Sequence, residues 1–418
     1  MDKDNKIYKR SRLMYVCEAT LEYFISILVS SSFLATLTSE LGMSDSLTGI
    51  LSSIISLGCL FQLLSIGIRR KRLKPFVIIM SVINQIVFML LYVVPIFDFD
   101  KTFKIITFVV LIISAYLIYN LAHPKKITWL MSLVDDKKRG SFTANKEITS
   151  LISGMIFSFS MGALIDYFKD KGETRTALIL SAIVIFVVTI LHTLSMFFAI
   201  ETPLEISNKQ NLKSSIKSII NNKKLLNVSV IFILFNIALY AATPFYGTYQ
   251  INELGFNLKL VTALTMSGSF VRIFVSRLWG NYADKNGFAS MVEKCFIFIA
   301  LAFLCVCFAA PSNGIVFFAL YHIFHGIAYG GISSALINLV FDHASPDERA
   351  DSLAICQATS GAAGFITTLF ISPVITLIQT NGNKIFGLPL YAQQFVSILS
   401  FLIMSFAVIY VRKVFKKK

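Results

Sequence analysis

Long apolar segments dominate this chain and limit its possible folds more than any motif does. About twelve runs of mostly apolar residues follow one another along its 418 residues, and each is near the ~20 residues that a helix needs to cross a bilayer. Charged residues make up only 15% of the chain, against about 25% in soluble domains. Because backbone polar groups in lipid must be satisfied within the segment, the runs are predicted to be helices. The chain is therefore predicted to be an all-α integral membrane protein.

The predicted spans form two sets of six, separated by a polar stretch with five lysines. The first set is 13–38, 46–68, 75–97, 103–130, 143–166 and 176–199, and the second set is 226–250, 259–280, 289–310, 314–341, 351–377 and 391–411. This pattern predicts an N-terminal six-helix bundle at 1–200, a cytoplasmic linker at 201–225 and a C-terminal six-helix bundle at 226–418. Parallel repeats joined in this way are typical of two-bundle transporters.

The basic residues predict how the chain is oriented. The formal net charge is +15, but the lysines and arginines cluster in short loops, which is typical of membrane orientation rather than nucleic-acid binding. With alternating loops and the N-terminus inside, 28 basic residues lie inside and 7 outside. Both termini are therefore predicted to be cytoplasmic, in a multi-pass protein of the plasma membrane. The six cysteines form no CxxC pair, so neither a disulfide framework nor a metal site is predicted.

An eight-residue motif follows the eighth predicted span. The segment from Gly280 to Gly287 reads GNYADKNG, with Asp284 in its centre and Arg277 shortly before it. It resembles the G-x-x-x-D-x-x-G loop of the major facilitator superfamily, at that family's position between helices 8 and 9. The corresponding position in the first half, 67–73, keeps a glycine and a basic run but has no aspartate.

This resemblance implies two six-helix bundles, a central cavity lined by helices 1, 4, 7 and 10, and rocker-type alternating access. It also implies a gating role for the loop. An aspartate there can pair with a nearby arginine or accept hydrogen bonds from the start of the next helix. The predicted gating residues are Gly280, Asp284, Gly287 and Arg277.

Two carboxylates in the first span are the main candidates for transport chemistry. Glu18 and Glu22 are four residues apart and so share a helix face, and Glu22 is about 15 Å from Arg12 along the helix axis. Ionisable groups inside a membrane are expensive and usually functional, so the pair is predicted to bind a proton or a cationic group. The alternative is a structural pairing with a basic side chain, for which the candidates are Lys125, Lys126 and Arg272.

Further candidates lie on other spans. His322 and His325 share a face of helix 10 and are predicted to take part in proton coupling, because histidine titrates near neutral pH, whereas His192 on helix 6 is predicted to stand alone. Arg272, in helix 8, is predicted to pair with a carboxylate or to bind an anion. Polar side chains suited to a small organic molecule occur on helices 4 and 7, namely Tyr116, Asn120, Asn236 and Tyr240.

The predicted function is secondary transport of a small organic solute by alternating access, driven by protons or another coupling ion. No GxxxxGK[ST], HExxH or GxSxG stretch occurs, so neither ATP hydrolysis nor another enzymatic activity is predicted. No cofactor, metal or nucleic acid is expected, and the chain is predicted to be a monomer in the lipid bilayer. The alternative is a non-transporting receptor or assembly protein on the same fold, which a sealed core with Glu22 locked in a salt bridge would favour.

Overall fold

The computed structural model describes residues 6–64, 72–134, 139–201, 219–344, 349–385 and 387–415, and they are almost all helical. In chain order the helices are α1 (Lys6–Leu28), α2 (Ser31–Glu40), α3 (Asp45–Leu64), α4 (Lys74–Val93), α5 (Lys101–Met131), α6 (Arg139–Asp170), α7 (Thr174–Phe198), α8 (Lys223–Ala242), α9 (Leu258–Asn286), α10 (Phe288–Cys307), α11 (Gly314–Tyr329), α12 (Ile332–Phe341), α13 (Arg349–Thr380) and α14 (Ala392–Phe415).

Short elements complete the described chain. Val94–Ile96 and Thr243–Phe245 are 3-10 turns, Tyr246–Thr248 is one α-helical turn, and Tyr249–Glu253 is π-helical. The two-residue strands β1 (Lys384–Ile385) and β2 (Leu388–Pro389) pair antiparallel, with Lys384 opposite Pro389.

The prediction of an all-α membrane protein is confirmed. Among the described residues, ten helical segments are long and apolar enough to cross a membrane, and the bent pair α1–α2 makes eleven if it counts as one span. A shorter apolar helix covers Asp45–Phe61. The count of twelve spans and the cytoplasmic termini stay predictions. Most of the linker, at 202–218, and residues 67–71 of the first-half basic loop lie outside the described residues.

The predicted loop after span 8 is instead mostly helical. Helix α9 continues to Asn286, so the segment from Gly280 to Asn286 forms its last two turns. The helix ends at Gly287, whose φ of 78° is in the left-handed region that glycine adopts without a steric penalty. The side chain of Asp284 lies outside the described part of the chain.

Residue contacts divide the chain into two compact units. The first unit holds Met1–Met43, Phe61–Ser207 and Asn257–Thr262. In this unit α1 packs against α6 and α7, and α4 packs against α5 and α7. Its core centres on the fully buried Trp129, whose indole Nε1 donates to the carbonyl oxygen of Ile200 at 3.0 Å. This contact fixes the end of α5 against the segment that follows α7.

The second unit holds Ser44–Leu60, Asn208–Phe256 and Ala263–Lys418. Here α10 packs against α11 and α14, and α8 packs against α13 and α14. Helix α8 begins at an asparagine cap, because Asn222 Oδ1 accepts from the backbone N–H groups of Lys224 and Leu225 at 3.1 and 3.3 Å. The unit also takes in most of α3, so its limits differ from those of the sequence halves, and the division at 1–200 and 226–418 stays a prediction.

Candidate functional site

Glu18 and Glu22 of α1 meet a single lysine in the first unit. Lys126 Nζ of α5 lies 2.8 Å from Glu18 Oε1 and also contacts Glu22 Oε2. Glu18 is 1% exposed and Lys126 is 3% exposed. Of the three predicted partners, Lys126 is therefore the one that both carboxylates share. The i,i+4 spacing accounts for this arrangement, because it places the two carboxylates one above the other on the face towards α5.

His192 of α7 completes the cluster, so the prediction that this histidine stands alone is wrong. Its Nε2 lies 3.2 Å from Glu18 Oε1. The imidazole is fully buried, and its Nδ1 has no hydrogen-bond partner among the described residues. Three helices thus contribute one group or more each. We call Glu18, Glu22, Lys126 and His192 the carboxylate–lysine cluster.

The charges of this cluster depend on one proton. Two carboxylates and one ammonium sum to −1 when His192 is neutral, and to zero when Glu18, Glu22 or His192 takes up a proton. Removing one partner from a buried ion pair is strongly unfavourable, so the cluster holds its lysine firmly. Glu18, Glu22 and His192 place donor atoms within 4.8 Å of one another, as a metal site would. The Lys126 ammonium contacts both of these carboxylates and already supplies the positive charge.

A polar pocket opens beside Glu22, whose side chain is 22% exposed. We call it the Glu22 pocket. It is lined by residues of α1, α4 and α5, which are Glu22, Met80, Ser81, Asn84, Gln85, Tyr119, Ala122, His123 and Lys126. Gln85 is 3% exposed, and neither its Oε1 nor the Nδ1 of His123 has a hydrogen-bond partner among the described residues. Asn84 is used structurally, since its Nδ2 donates to the carbonyl oxygen of Ala115 at 2.7 Å.

The other candidates of the first unit, Tyr116 and Asn120, are both buried on α5. Asn120 is buried, and its Nδ2 donates to the carbonyl oxygen of Tyr116, one turn earlier, at 2.8 Å. The Tyr116 ring packs edge-on against Phe88, with ring centroids 5.4 Å apart. Neither residue is among those that line the Glu22 pocket.

The second unit contains a different buried cluster, around His322 and His325 of α11. The His325 ring stacks on Tyr329 at 4.0 Å and lies 5.4 Å from Tyr321. The His322 ring lies 5.0 Å from Tyr321, and its Nε2 has no hydrogen-bond partner among the described residues. We call these two histidines and two tyrosines the histidine–tyrosine cluster.

Arg272, Asn236 and Tyr240 are arranged around α8 and α9 of the same unit. Arg272 is half-buried and close enough to His325 and Tyr329 to act on them electrostatically. Asn236 Nδ2 donates to the carbonyl oxygen of Phe232, one turn earlier, at 3.1 Å. The carbonyl oxygen of Tyr240 accepts from Thr368 Oγ1 of α13 at 2.8 Å.

The predicted gating residues lie at the end of α9. Arg277 is exposed, and Gly280 has open space where a side chain would be. The neighbouring Trp279 is buried and donates from Nε1 to the carbonyl oxygen of Ile327 at 2.6 Å. This bond fixes the end of α9 against α11. Any pairing of Arg277 with Asp284 stays a prediction.

Sequence reasoning missed Gln85 and the role of His192. One signal for Gln85 was available, because Asn84 and Gln85 are adjacent amides in the middle of an otherwise apolar span, and polar groups at that depth are usually functional. For His192 no local signal exists. Its partner Glu18 is 174 residues away in sequence.

Comparison with known proteins gives a consistent result. A family model described as Major Facilitator Superfamily matches residues 16–368. Among solved structures, the nucleoside transporter NupG aligns with a TM-score of 0.71 at 12% identity, over 99% of this chain and 100% of that chain. The D-xylose-proton symporter aligns with a TM-score of 0.67 at 14% identity, over 94% of this chain and 96% of that one.

A third similar structure is a bacterial homolog of the human lysosomal transporter Spinster, in an inward-facing and unoccupied conformation. It aligns with a TM-score of 0.66 at 12% identity, over 99% of this chain and 97% of that chain. At these identities the likeness is one of fold. No curated protein matches the chain by sequence.

Proposed function

The chain belongs to the major facilitator superfamily, and from that premise we propose that it moves a small organic solute across a membrane by proton-coupled alternating access. Secondary transport is the activity that the family and its similar structures support, and one of those structures is named as a proton symporter. The proton coupling and the solute are our own proposals, as are the plasma membrane and the monomeric state.

The single observation that carries the coupling is that one lysine serves two carboxylates. Lys126 contacts Glu18 and Glu22. A proton on Glu22 removes the charge that holds it to the lysine, and Lys126 then pairs with Glu18 alone. A ligand shifts a conformational equilibrium only when it binds the two states with different affinity. Conformations that differ in how closely Lys126 approaches Glu22 would differ in proton affinity for that reason.

Glu22 is the better proton acceptor of the two carboxylates. Glu18 is buried and has two partners, Lys126 and His192, whereas Glu22 is 22% exposed and lines a pocket. A proton needs a path to its acceptor, and we propose that the Glu22 pocket is part of that path. Glu18 and His192 are then positioning residues, which keep the ammonium of Lys126 in place while Glu22 changes its charge.

The alternative is a receptor or assembly protein on the same fold. One observation favours it, since Glu22 is held in a salt bridge with Lys126. The open pocket beside Glu22 argues for transport, because a locked structural pair has no need of access. We therefore favour transport. The end of α9 is proposed as a gating element, and the polar residues predicted on α5 and α8, which are Tyr116, Asn120, Asn236 and Tyr240, are proposed as substrate contacts.

The test is uptake into proteoliposomes across a panel of small organic solutes, with and without a pH gradient. It compares the wild type with Glu22→Gln. We expect the gradient to drive uptake by the wild type and to have no effect on the variant. The matched control is Glu40→Gln, which removes a carboxylate from a half-exposed pair with Lys169 in the same unit.

Two outcomes would count against the proposal. Uptake that is the same with and without the pH gradient, and the same in the wild type and Glu22→Gln, would rule out this coupling mechanism. A folded wild-type protein that moves no member of the panel under any gradient would favour the receptor alternative.

A further inference from the structure

We propose that a group of two carboxylates and four side-chain amides in the second unit binds a calcium ion. We call this group the carboxylate–amide cluster. Its members are Asp45, Asn252, Glu253, Gln379, Asn383 and Gln393. None of them belongs to the carboxylate–lysine cluster or lines the Glu22 pocket, so calcium binding here goes beyond the proposed function and does not depend on it.

Separate elements of the second unit bring these residues together. Asp45 is the first residue of α3, and Glu253 ends the apolar segment that begins with α8. Gln379 lies in the last turn of α13, Asn383 follows that helix, and Gln393 lies in the first turn of α14. With the predicted cytoplasmic N-terminus, all these positions are at the outer side of the membrane.

Neutral donors alone hold the two carboxylates close together. Gln379 Nε2 donates to Asp45 Oδ2 at 2.8 Å and to Glu253 Oε1 at 3.2 Å. Asp45 is buried, and its Oδ1 accepts from Asn252 Nδ2 at 2.8 Å. None of the lysines, arginines and histidines that the structure describes forms an ion pair with either carboxylate. Two negative charges that share one amide nitrogen repel each other, and a cation beside them would remove that repulsion.

Two amide oxygens of the cluster have no hydrogen-bond partner among the described residues. Gln393 is fully buried, and its Nε2 donates to Asp45 Oδ2 at 3.5 Å, while its Oε1 has no partner. Asn383 Nδ2 donates to Glu253 Oε2 at 3.3 Å, and its Oδ1 is buried without a partner as well. Buried polar atoms are nearly always hydrogen-bonded. Two unused oxygens beside two carboxylates therefore point to a ligand that is bound by oxygen atoms, which a cation is.

The donor atoms fit calcium better than other cations. All of the acceptors are oxygens, which hard cations prefer, and the six residues include no cysteine or histidine. Two carboxylates match the charge of a divalent ion. Calcium accepts about six to eight oxygens in a flexible geometry, whereas magnesium needs a nearly ideal octahedron and gives up its water reluctantly. Carboxylates and amides from several elements suit the more flexible ion.

Rotation of two amides would complete the ligand set. The NH2 groups of Gln379 and Asn252 lie against the carboxylates, and a half-turn about the last side-chain bond exchanges nitrogen and oxygen in such a group. Gln379 is half-buried and Asn252 is exposed, so both have space to turn. The exposed position of Asn252 also gives an ion access to the cluster from water.

The test uses the full chain, purified in detergent with a calcium chelator and then transferred to CaCl2, MgCl2 or NaCl at equal ionic strength. Melting temperature as a function of ion concentration gives an apparent Kd, and calorimetric titration measures binding directly. Asp45→Asn and Glu253→Gln each remove one negative charge with little change of shape. The matched control is Asp98→Asn, which removes an exposed carboxylate of the first unit.

We expect calcium to stabilise the wild type and Asp98→Asn with the same apparent Kd. Asp45→Asn and Glu253→Gln are each expected to weaken calcium binding by roughly tenfold or more, because ligand charge sets the affinity of such sites. Gln393→Glu adds a third carboxylate at the same place. It is expected to tighten calcium binding and to lower the melting temperature in chelator, and a gain of binding cannot come from misfolding.

Several outcomes would overturn the proposal. They are a wild type that calcium does not stabilise, equal stabilisation by MgCl2 or NaCl, and calcium binding by Asp45→Asn that is as tight as that of the wild type. If neither neutral variant folds, Gln393→Glu decides, and an unchanged or weaker calcium affinity overturns the site. Carboxylates that share a proton instead would give no calcium binding and a melting temperature that falls as the pH rises. Because the readout is binding rather than uptake, none of these results bears on the proposed transport.

Discussion

Each of the two units buries a polar cluster, and the clusters differ in whether their ionisable groups have partners of opposite charge. In the carboxylate–lysine cluster, Glu18 contacts both Lys126 and His192, so every ionisable group has an ionisable partner. In the histidine–tyrosine cluster, His322 and His325 contact aromatic rings, and the charged side chain that acts on His325 is Arg272, which is also positive. A buried charge is stable only when it is paired. The first cluster can therefore exchange a proton while remaining paired, whereas the second gains an unpaired charge if it takes one up.

The largest effect is expected from removing the shared lysine. Lys126→Met leaves Glu18 and Glu22 without their ammonium, and breaking a buried pair from one side typically costs about 3–5 kcal/mol. Lys125→Met is the matched control, because the neighbouring lysine is only partly buried and is expected to change stability little. The measurement is thermal unfolding in detergent.

A second substitution tests the cause of that loss. Adding Glu18→Gln to Lys126→Met removes one of the orphaned carboxylates and is expected to restore part of the stability. If Lys126→Met and Lys125→Met have the same melting temperature, the two carboxylates do not depend on the shared ammonium. The proposed difference in charge pairing between the two clusters would then be contradicted.

Within the first cluster, the two carboxylates are expected to differ. Glu18→Gln weakens charged hydrogen bonds to two partners, so its expected cost is roughly 2–3 kcal/mol. Glu22→Gln affects one partner at a position that is 22% exposed, and it is expected to cost less stability while abolishing the response to a pH gradient. Unfolding and gradient-driven uptake, measured on both variants, give the comparison. Equal losses of stability would contradict the positioning role of Glu18.

How much of this could be read from the sequence depends on the distance over which each contact acts. The spans were predictable because bilayer thickness sets their length, and the shared face of Glu18 and Glu22 followed from helix geometry alone. The choice between Lys125 and Lys126 was not predictable. Adjacent helical residues point about 100° apart, so only the packing of α5 on α1 decides which lysine faces the carboxylates. The partner of His192 was hidden for the same reason, since it comes from a distant helix.

The motif after span 8 shows a second limit. The glycines at 280 and 287 look alike in sequence, but only Gly287 adopts a positive φ, while Gly280 is helical. A pattern of residues indicates a family, and its local structure depends on the packing around it. Here Trp279 holds the end of α9 against α11, and the helix continues through the motif.

In the second unit, close backbone packing is expected to matter more than the histidine charge. A Cβ at Gly326 of α11 would lie 2.2 Å from the carbonyl oxygen of Gly268 of α9. Gly326→Ala is therefore expected to destabilise the protein by about 1–3 kcal/mol through overpacking. Gly280→Ala is instead expected to stabilise the protein by about 0.5–1 kcal/mol, because this helical position has open space for a Cβ. Thermal unfolding of both variants tests these two predictions. They would be contradicted if Gly280→Ala destabilised the protein and Gly326→Ala did not.

The smallest effects are expected at His322 and His325, where we predict that shape matters and charge does not. His325→Phe keeps a ring on Tyr329 and is expected to change stability by less than about 1 kcal/mol, since it replaces one ring by another of similar volume. His322→Phe removes a buried nitrogen that has no hydrogen-bond partner among the described residues, so little is lost there. Proton-driven uptake should keep its dependence on pH in both of these variants. His192→Phe removes a partner of Glu18, so it should shift the pH dependence of uptake. If His325→Phe shifted the pH dependence of uptake and His192→Phe did not, the proton-coupling site would be the histidine–tyrosine cluster. The carboxylate–lysine cluster would then not be the site of proton exchange.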